Sequence, residues 1–123
     1  MSLNTVCWAD IPVKNLDRAI AFYTAVLGSA VSKEGEGEFA FGLLPHREQN
    51  ASGCLGEMED NEPSQKGPQV YLSVEGRIDA AVAEVERNNG KVVSAKHSIG
   101  PHGFRAIIID SEGNKIALHS HAG

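Results

Sequence analysis

The order of elements repeats once along this chain, and that repeat constrains the fold more than any single motif does. Residues 5–13, Thr-Val-Cys-Trp-Ala-Asp-Ile-Pro-Val, read as a strand because the run is short and rich in β-formers. Alternation puts Cys7, Ala9, Ile11 and Val13 on an apolar face that should pack on helices. Val6, Trp8, Asp10 and Pro12 share the other, mixed face, which is free to line a site. A helix follows, with Asn15 as its N-cap and an apolar stripe through Leu16, Ala19, Ile20, Tyr23 and Leu27. Gly28 ends it where a left-handed residue is wanted. Strands are expected at about 30–34, 38–44 and 51–58, separated by Gly35-Glu36-Gly37 and by a turn from Pro45 to Ser52.

Asp60 to Pro68 is the most loop-like stretch, and after it the order starts again. Val70 to Val74 is a strand, and Ile78, Ala81, Val82 and Val85 draw a helical stripe ended by Asn89-Gly90. Lys91 to Ala95, Phe104 to Asp110 and Lys115 to His121 read as three more strands, the last two joined by the turn Ser111-Glu112-Gly113-Asn114. The chain therefore reads β-α-β-β-β twice. It is expected to form one domain over 1–123, with module 1 at about 4–60 and module 2 at about 67–121.

Composition narrows the class. The chain has 123 residues, 41% hydrophobic and 22% charged, which is ordinary for a globular domain and argues against disorder. Eleven Lys and Arg against 16 Asp and Glu leave a net charge of -5, which disfavours a nucleic-acid partner and mildly favours a cationic ligand. No apolar run is long enough to span a membrane, so no membrane partner is expected. Cys7 and Cys54 form no Cys-x-x-Cys pair, and both read as small buried hydrophobes. Ser2-Leu3-Asn4 leads straight into the first strand without a signal region, so a cytoplasmic location is expected. There is no Gly-x-Ser-x-Gly elbow, dinucleotide fingerprint or Walker loop. Glu34 to Glu38 reads as a solvated hairpin tip, and Asp79, Glu84 and Glu86 as the wet face of the second helix.

Several stretches resemble a known family. Ile11 to Ala19, followed by Phe22-Tyr23 and Val26-Leu27-Gly28, is similar to the opening of the vicinal oxygen chelate superfamily, which includes glyoxalase I, extradiol dioxygenases and bleomycin-resistance proteins. Ile109 to Leu118 resembles its closing hairpin. Gly100 to Ala106 and Leu118-His119-Ser120 resemble a glyoxalase-like branch related to lactoylglutathione lyase. The resemblance implies an α+β fold: two βαβββ modules forming a cupped mixed sheet around a funnel, with helices on the outer face. The modules of such proteins pair within one chain or across a dimer, and a homodimer is expected here.

The resemblance also implies positions for a divalent metal. They fall on Trp8, on Gln69, on Ala117 and in the window from Cys54 to Glu57, where Glu57 is the only carboxylate. An indole only donates and a methyl offers nothing, so no family-type metal and no other cofactor is expected. A shifted set is the counter-reading. His119 and His121 share one strand face with Ala117, and Asp10 or Glu57 would complete a zinc or nickel site. His97 and His102 read as solvated loop residues, with His102 a candidate cap on the funnel mouth.

The expected funnel wall is therefore Trp8, Asp10 and Pro12, then Gln69, Tyr71 and Ser73, then Ala117 and His119. Trp8, Gln69, Tyr71 and Glu57 are the candidate substrate contacts. Asp10 and His119 are the candidate catalytic pair, because a carboxylate beside an imidazole sets up an acid/base. The expected function is a glyoxalase-like small-molecule binder, using lyase or isomerase chemistry by proton transfer if it is an enzyme. The alternatives are a sequestering dimer like the bleomycin-resistance proteins and a metal-dependent lyase or dioxygenase built around His119.

Overall fold

The computed structural model describes residues 5–47 and 51–123. The lead-in Ser2-Leu3-Asn4, the expected start of module 1 near residue 4 and the middle of the turn from Pro45 to Ser52 lie outside the described residues. The first module runs β1 (Trp8–Pro12), α1 (Leu16–Leu27), β2 (Ser32–Glu34), β3 (Phe41–Leu43) and β4 (Ser52–Gly56). The second runs β5 (Val70–Ser73), α2 (Ile78–Arg87), β6 (Lys91–Ser98), β7 (Phe104–Ile109) and β8 (Lys115–Ser120). Both modules are thus βαβββ. Their strands form two four-stranded mixed sheets, ordered β1-β4-β3-β2 and β5-β8-β7-β6. In each, the strand before the helix pairs in parallel with the last strand of its module, β1 with β4 and β5 with β8. Each helix carries the crossover that parallel pairing requires. β1 and β5 therefore stand at sheet ends, each with one free edge.

Local signals set the helix ends. The Asn15 side chain accepts from the Arg18 N–H at 3.0 Å, and Gly28 closes α1 with φ 70°. The buried stripe of α1 is Leu16, Ala19, Phe22, Tyr23 and Val26, with Ile20 and Leu27 partly covered. Phe22 and Val26 joined the stripe because α1 packs on both modules, which widens its buried face. In α2 the left-handed residue is Asn89, φ 74°, rather than Gly90. Gly90 is needed for a close approach: a Cβ there would lie 2.5 Å from Phe22 and 2.7 Å from the Ile109 carbonyl.

The core is one apolar cluster that draws on both modules, from Ile11, Phe22 and Leu55 to Ile78, Val85, Ile108 and Leu118. A polar latch reinforces it. Buried Asp110 accepts the Tyr23 hydroxyl at 2.5 Å and the N–H groups of Glu112, Gly113 and Asn114 at 2.8–2.9 Å. Asn114 in turn donates to the Pro12 carbonyl at 2.8 Å and accepts from the Ser64 N–H at 3.1 Å. The β7–β8 turn is thereby fastened to module 1.

Two expectations about residues need correction. Cys7 is exposed, because β1 begins at Trp8, where its pairing with Ser52 starts, and residues 5–7 are uncovered; Cys54, on the open side of β4, is only half-buried. His97 is not in a loop. The β6–β7 ladder extends to His97↔Arg105 and Ser98↔Phe104, beyond the stretch whose side-chain pattern announces a strand.

Candidate functional site

The face of each sheet turned away from the helices is open. In the second module Ile108, Ile116 and Leu118 face the core, so Arg105, Ile107, Ala117 and His119 fall on the open side, with Tyr71 and Ser73 from β5. In the first module Trp8, Asp10 and Cys54 occupy the corresponding side. Trp8 is 46% and Tyr71 45% exposed, so neither fills the space above its own sheet.

Between the free edges of β1 and β5 lies a cleft of about 500 Å³. Val6, Ala9, Ile11, Leu44, Val70 and Leu72 make its walls apolar, and Tyr71 and Ser73 stand at its margin. A second, more polar cleft of about 290 Å³ holds Asp10, Pro12 and Gln69 together with Lys66 and Lys115. Glu57 lines a third, of about 720 Å³, beside Lys14, Glu59 and Glu62.

The expected site residues are therefore spread out. Asp10 Oδ1 accepts from Trp8 Nε1 at 3.1 Å and from Cys54 Sγ at 3.3 Å. Burial and that hydrogen bond to Asp10 push the Cys54 thiol up, away from the thiolate. His119 Nε2 donates to the His102 carbonyl at 2.7 Å, which leaves Nδ1 as the acceptor nitrogen. Its ring lies 6.4 Å from Tyr71 and 4.8 Å from His121, centroid to centroid. Asp10 and His119 share no hydrogen bond; each is held by its own neighbours. Gln69 joins Asp10 in the polar cleft, while Glu57 Oε2 accepts the Leu16 N–H at 3.0 Å at the start of α1. Ala117, expected on the wall, is 0% exposed and so presents nothing to a ligand.

One group escaped sequence reasoning. Arg105 Nε donates to His97 Nε2 at 3.0 Å and its Nη1 donates to the Tyr71 hydroxyl at 2.5 Å. His97 Nδ1 donates to the Ala95 carbonyl at 2.9 Å, which fixes a neutral tautomer. The signal was available. A turn over residues 110–114 sets the β7–β8 register, and that register places Arg105 opposite His119.

A pair of βαβββ modules with an apolar cleft at the meeting of their first strands defines the class of protein this is. The chain belongs to the glyoxalase/bleomycin resistance protein/dioxygenase superfamily, whose family model matches residues 3–118. A comparison with curated proteins gives no match. Solved structures share the fold. A glyoxalase/bleomycin resistance protein from Albidiferax ferrireducens T118 superposes with TM-score 0.74 at 17% identity, covering 95% of this chain and 98% of that one. A glyoxalase-related enzyme from Fulvimarina pelagi gives 0.72 at 9% identity over 96% and 88%. A glyoxalase I variant from Zea mays gives 0.66 at 18% identity, over 94% of this chain but 46% of that one.

The residues at the family's metal positions do not fit a metal. Trp8 presents an N–H already given to Asp10, Ala117 presents a buried methyl, and one oxygen of Glu57 accepts from the α1 backbone. Gln69 is left with one amide oxygen, a weak ligand by itself. Among the described residues no three His, Cys, Asp or Glu side chains are grouped to hold a metal, the pair His119 and His121 included. Also among the described residues, no helix is long and apolar enough to cross a membrane.

Proposed function

We propose that this chain binds a small organic molecule in the cleft between β1 and β5, without the family's metal. The cleft itself carries the reading. Its volume of about 500 Å³ and its apolar walls with a few polar groups at the margin match what small-molecule sites require. A reducing, cytoplasmic setting suits the free thiols of Cys7 and Cys54. The test is amide chemical-shift mapping against a panel of small organic compounds. Binders should move the signals of Ala9, Ile11, Val70 and Leu72 together; compounds that bind while leaving those four unmoved would place the site elsewhere.

A second reading adds catalysis at His119, on the open face of the second sheet. His119 has one ring nitrogen tied to a carbonyl and the other free to accept, the arrangement a general base needs. Lyase or isomerase chemistry would then run as proton transfer at His119 Nδ1. Under this reading His119→Ala abolishes turnover while ligand affinity survives. A sequestering protein instead shows tight saturation with no product from either form.

A further inference from the structure

The register of the second sheet lays one polar row across its open face. Ser73 on β5 pairs with His119 on β8, His119 with Arg105 on β7, and Arg105 with His97 on β6. Partners in a ladder point to the same face, so these four side chains stand side by side. Arg105 is the cation among them. It is half-buried, and it belongs to none of the five ion pairs of the described residues. Its two partners bring no negative charge. Nε donates to an imidazole nitrogen, His97 Nε2, and Nη1 donates to the Tyr71 hydroxyl, which leans across β8 at Ala117. Glu75, the carboxylate just beyond β5, is spent on the N–H groups of His121 and Ala122 and on the Ser120 hydroxyl. Nη2, the second Nη1 proton and the Tyr71 O–H proton have no acceptor among the described residues. Hydrogen bonds hold the guanidinium in place, but no protein group there neutralises it.

We infer that this row is a second binding site, separate from the cleft between β1 and β5, and that it takes a small organic carboxylate on Arg105 and the Tyr71 hydroxyl. Arg105, His97 and His119 do not line that cleft, so the inference stands apart from the cleft reading. A half-buried cation without a counter-charge favours a ligand that supplies one. A planar guanidinium with spare protons meets carboxylate oxygens in its own plane, and a phenol O–H adds a neutral donor. A single guanidinium balances one negative charge, which favours a carboxylate over a doubly charged phosphate. Ile107, two residues along β7 on the same face and half-buried, offers apolar ground for a short carbon body. The net charge of -5 opposes anions only as a diffuse field that salt screens, whereas the contact at Arg105 acts at hydrogen-bond distance.

The test titrates benzoate and its neutral amide, benzamide, into the full chain. It follows the backbone amide signals of His97, Arg105 and His119, with those of Ala9 and Ile11 as reporters of the cleft. Benzoate should move the sheet signals and bind at least about tenfold more tightly than benzamide, the margin of a charge-assisted contact. Arg105→Gln should erase that margin; a thermal melt checks that the variant is folded. Equal affinity of the two compounds for the unaltered chain would overturn the inference, whether or not the variant folds. So would benzoate that moves the cleft reporters and leaves the sheet signals still, a result that keeps the cleft reading and denies this site. A margin that survives in folded Arg105→Gln would assign the carboxylate to another cation and sink the proposal. Displacement of benzoate by inorganic phosphate at equal concentration would also overturn it, in favour of a phosphate ligand. Sheet signals silent toward both compounds, as when a carboxylate of a second copy already occupies Arg105, would remove the site and leave the cleft reading untouched.

Discussion

Glu112 keeps its side chain out of water and yet is ionised. Burial by itself would raise its pKa; the hydrogen bonds from Arg18, Ser111 and the N–H groups of Asn15 and Lys14 outweigh that and bring it down to about 2. The Arg18 contact is two-pronged, at 2.7 and 2.9 Å. A carboxyl that holds its proton more weakly when folded than when unfolded stabilises the fold above its unfolded pKa, and the effect fades as pH falls toward the folded value. Here that window runs from about 4.5 down to about 2, and the effect at neutral pH is on the order of 3 kcal/mol. Glu75, likewise lowered to about 2 mainly by the His121 N–H, acts in the same window. Urea midpoints followed from neutral pH into acid should therefore fall below about pH 4.5, and Glu112→Gln should reduce the slope without abolishing it. An unchanged acid slope in the variant would show that Glu112 is not what titrates.

At the scale of elements, the join between α1 and α2 depends on one glycine. Gly28 has φ 70°, and a Cβ there would lie 2.7 Å from the Arg77 guanidinium carbon. Arg77 Nη1 donates to the Val26 carbonyl at 2.6 Å, which satisfies an orphan acceptor at the end of α1 and places positive charge at its negative pole. Gly28→Ala should thus impose left-handed strain and displace Arg77 as well, at a cost of about 1–3 kcal/mol read as a lowered melting temperature. Arg77→Ala should lose part of this. A melting temperature within error of the parent for Gly28→Ala would mean that the helix end relaxes freely.

For the whole molecule, the open faces are the unfinished part. Helices cover one side of each sheet, whereas Trp8 and Tyr71 stand nearly half exposed on the other. Sheets of this kind are stable with one wet face, but that face is then usually polar. The homodimer that the family resemblance leads one to expect would cover these aromatic rings with a second copy. Sedimentation should give twice the chain mass, and Trp8→Ser should weaken the association. A monomer at all accessible concentrations would end the dimer reading and leave the cleft a property of one chain.

Much of this architecture was legible in the residues. The order β-α-β-β-β, its repetition, the Asn15 cap, the Gly28 stop and the 110–114 turn follow from periodicity and capping, which are local properties and act within a few residues. What local pattern does not carry is which side chains meet across long stretches of chain. Tyr23 reaches Asp110 only because both modules pack around one core, and Arg105 reaches Tyr71 because β8 joins their strands in one sheet. The pairing of β1 with β4 drew Asp10 to Cys54, while Glu57 lines a different cleft and Ala117 is buried. The residues determined the elements and their order; only the tertiary structure decided the company each side chain keeps, because that depends on the burial of apolar surface shared by the whole chain.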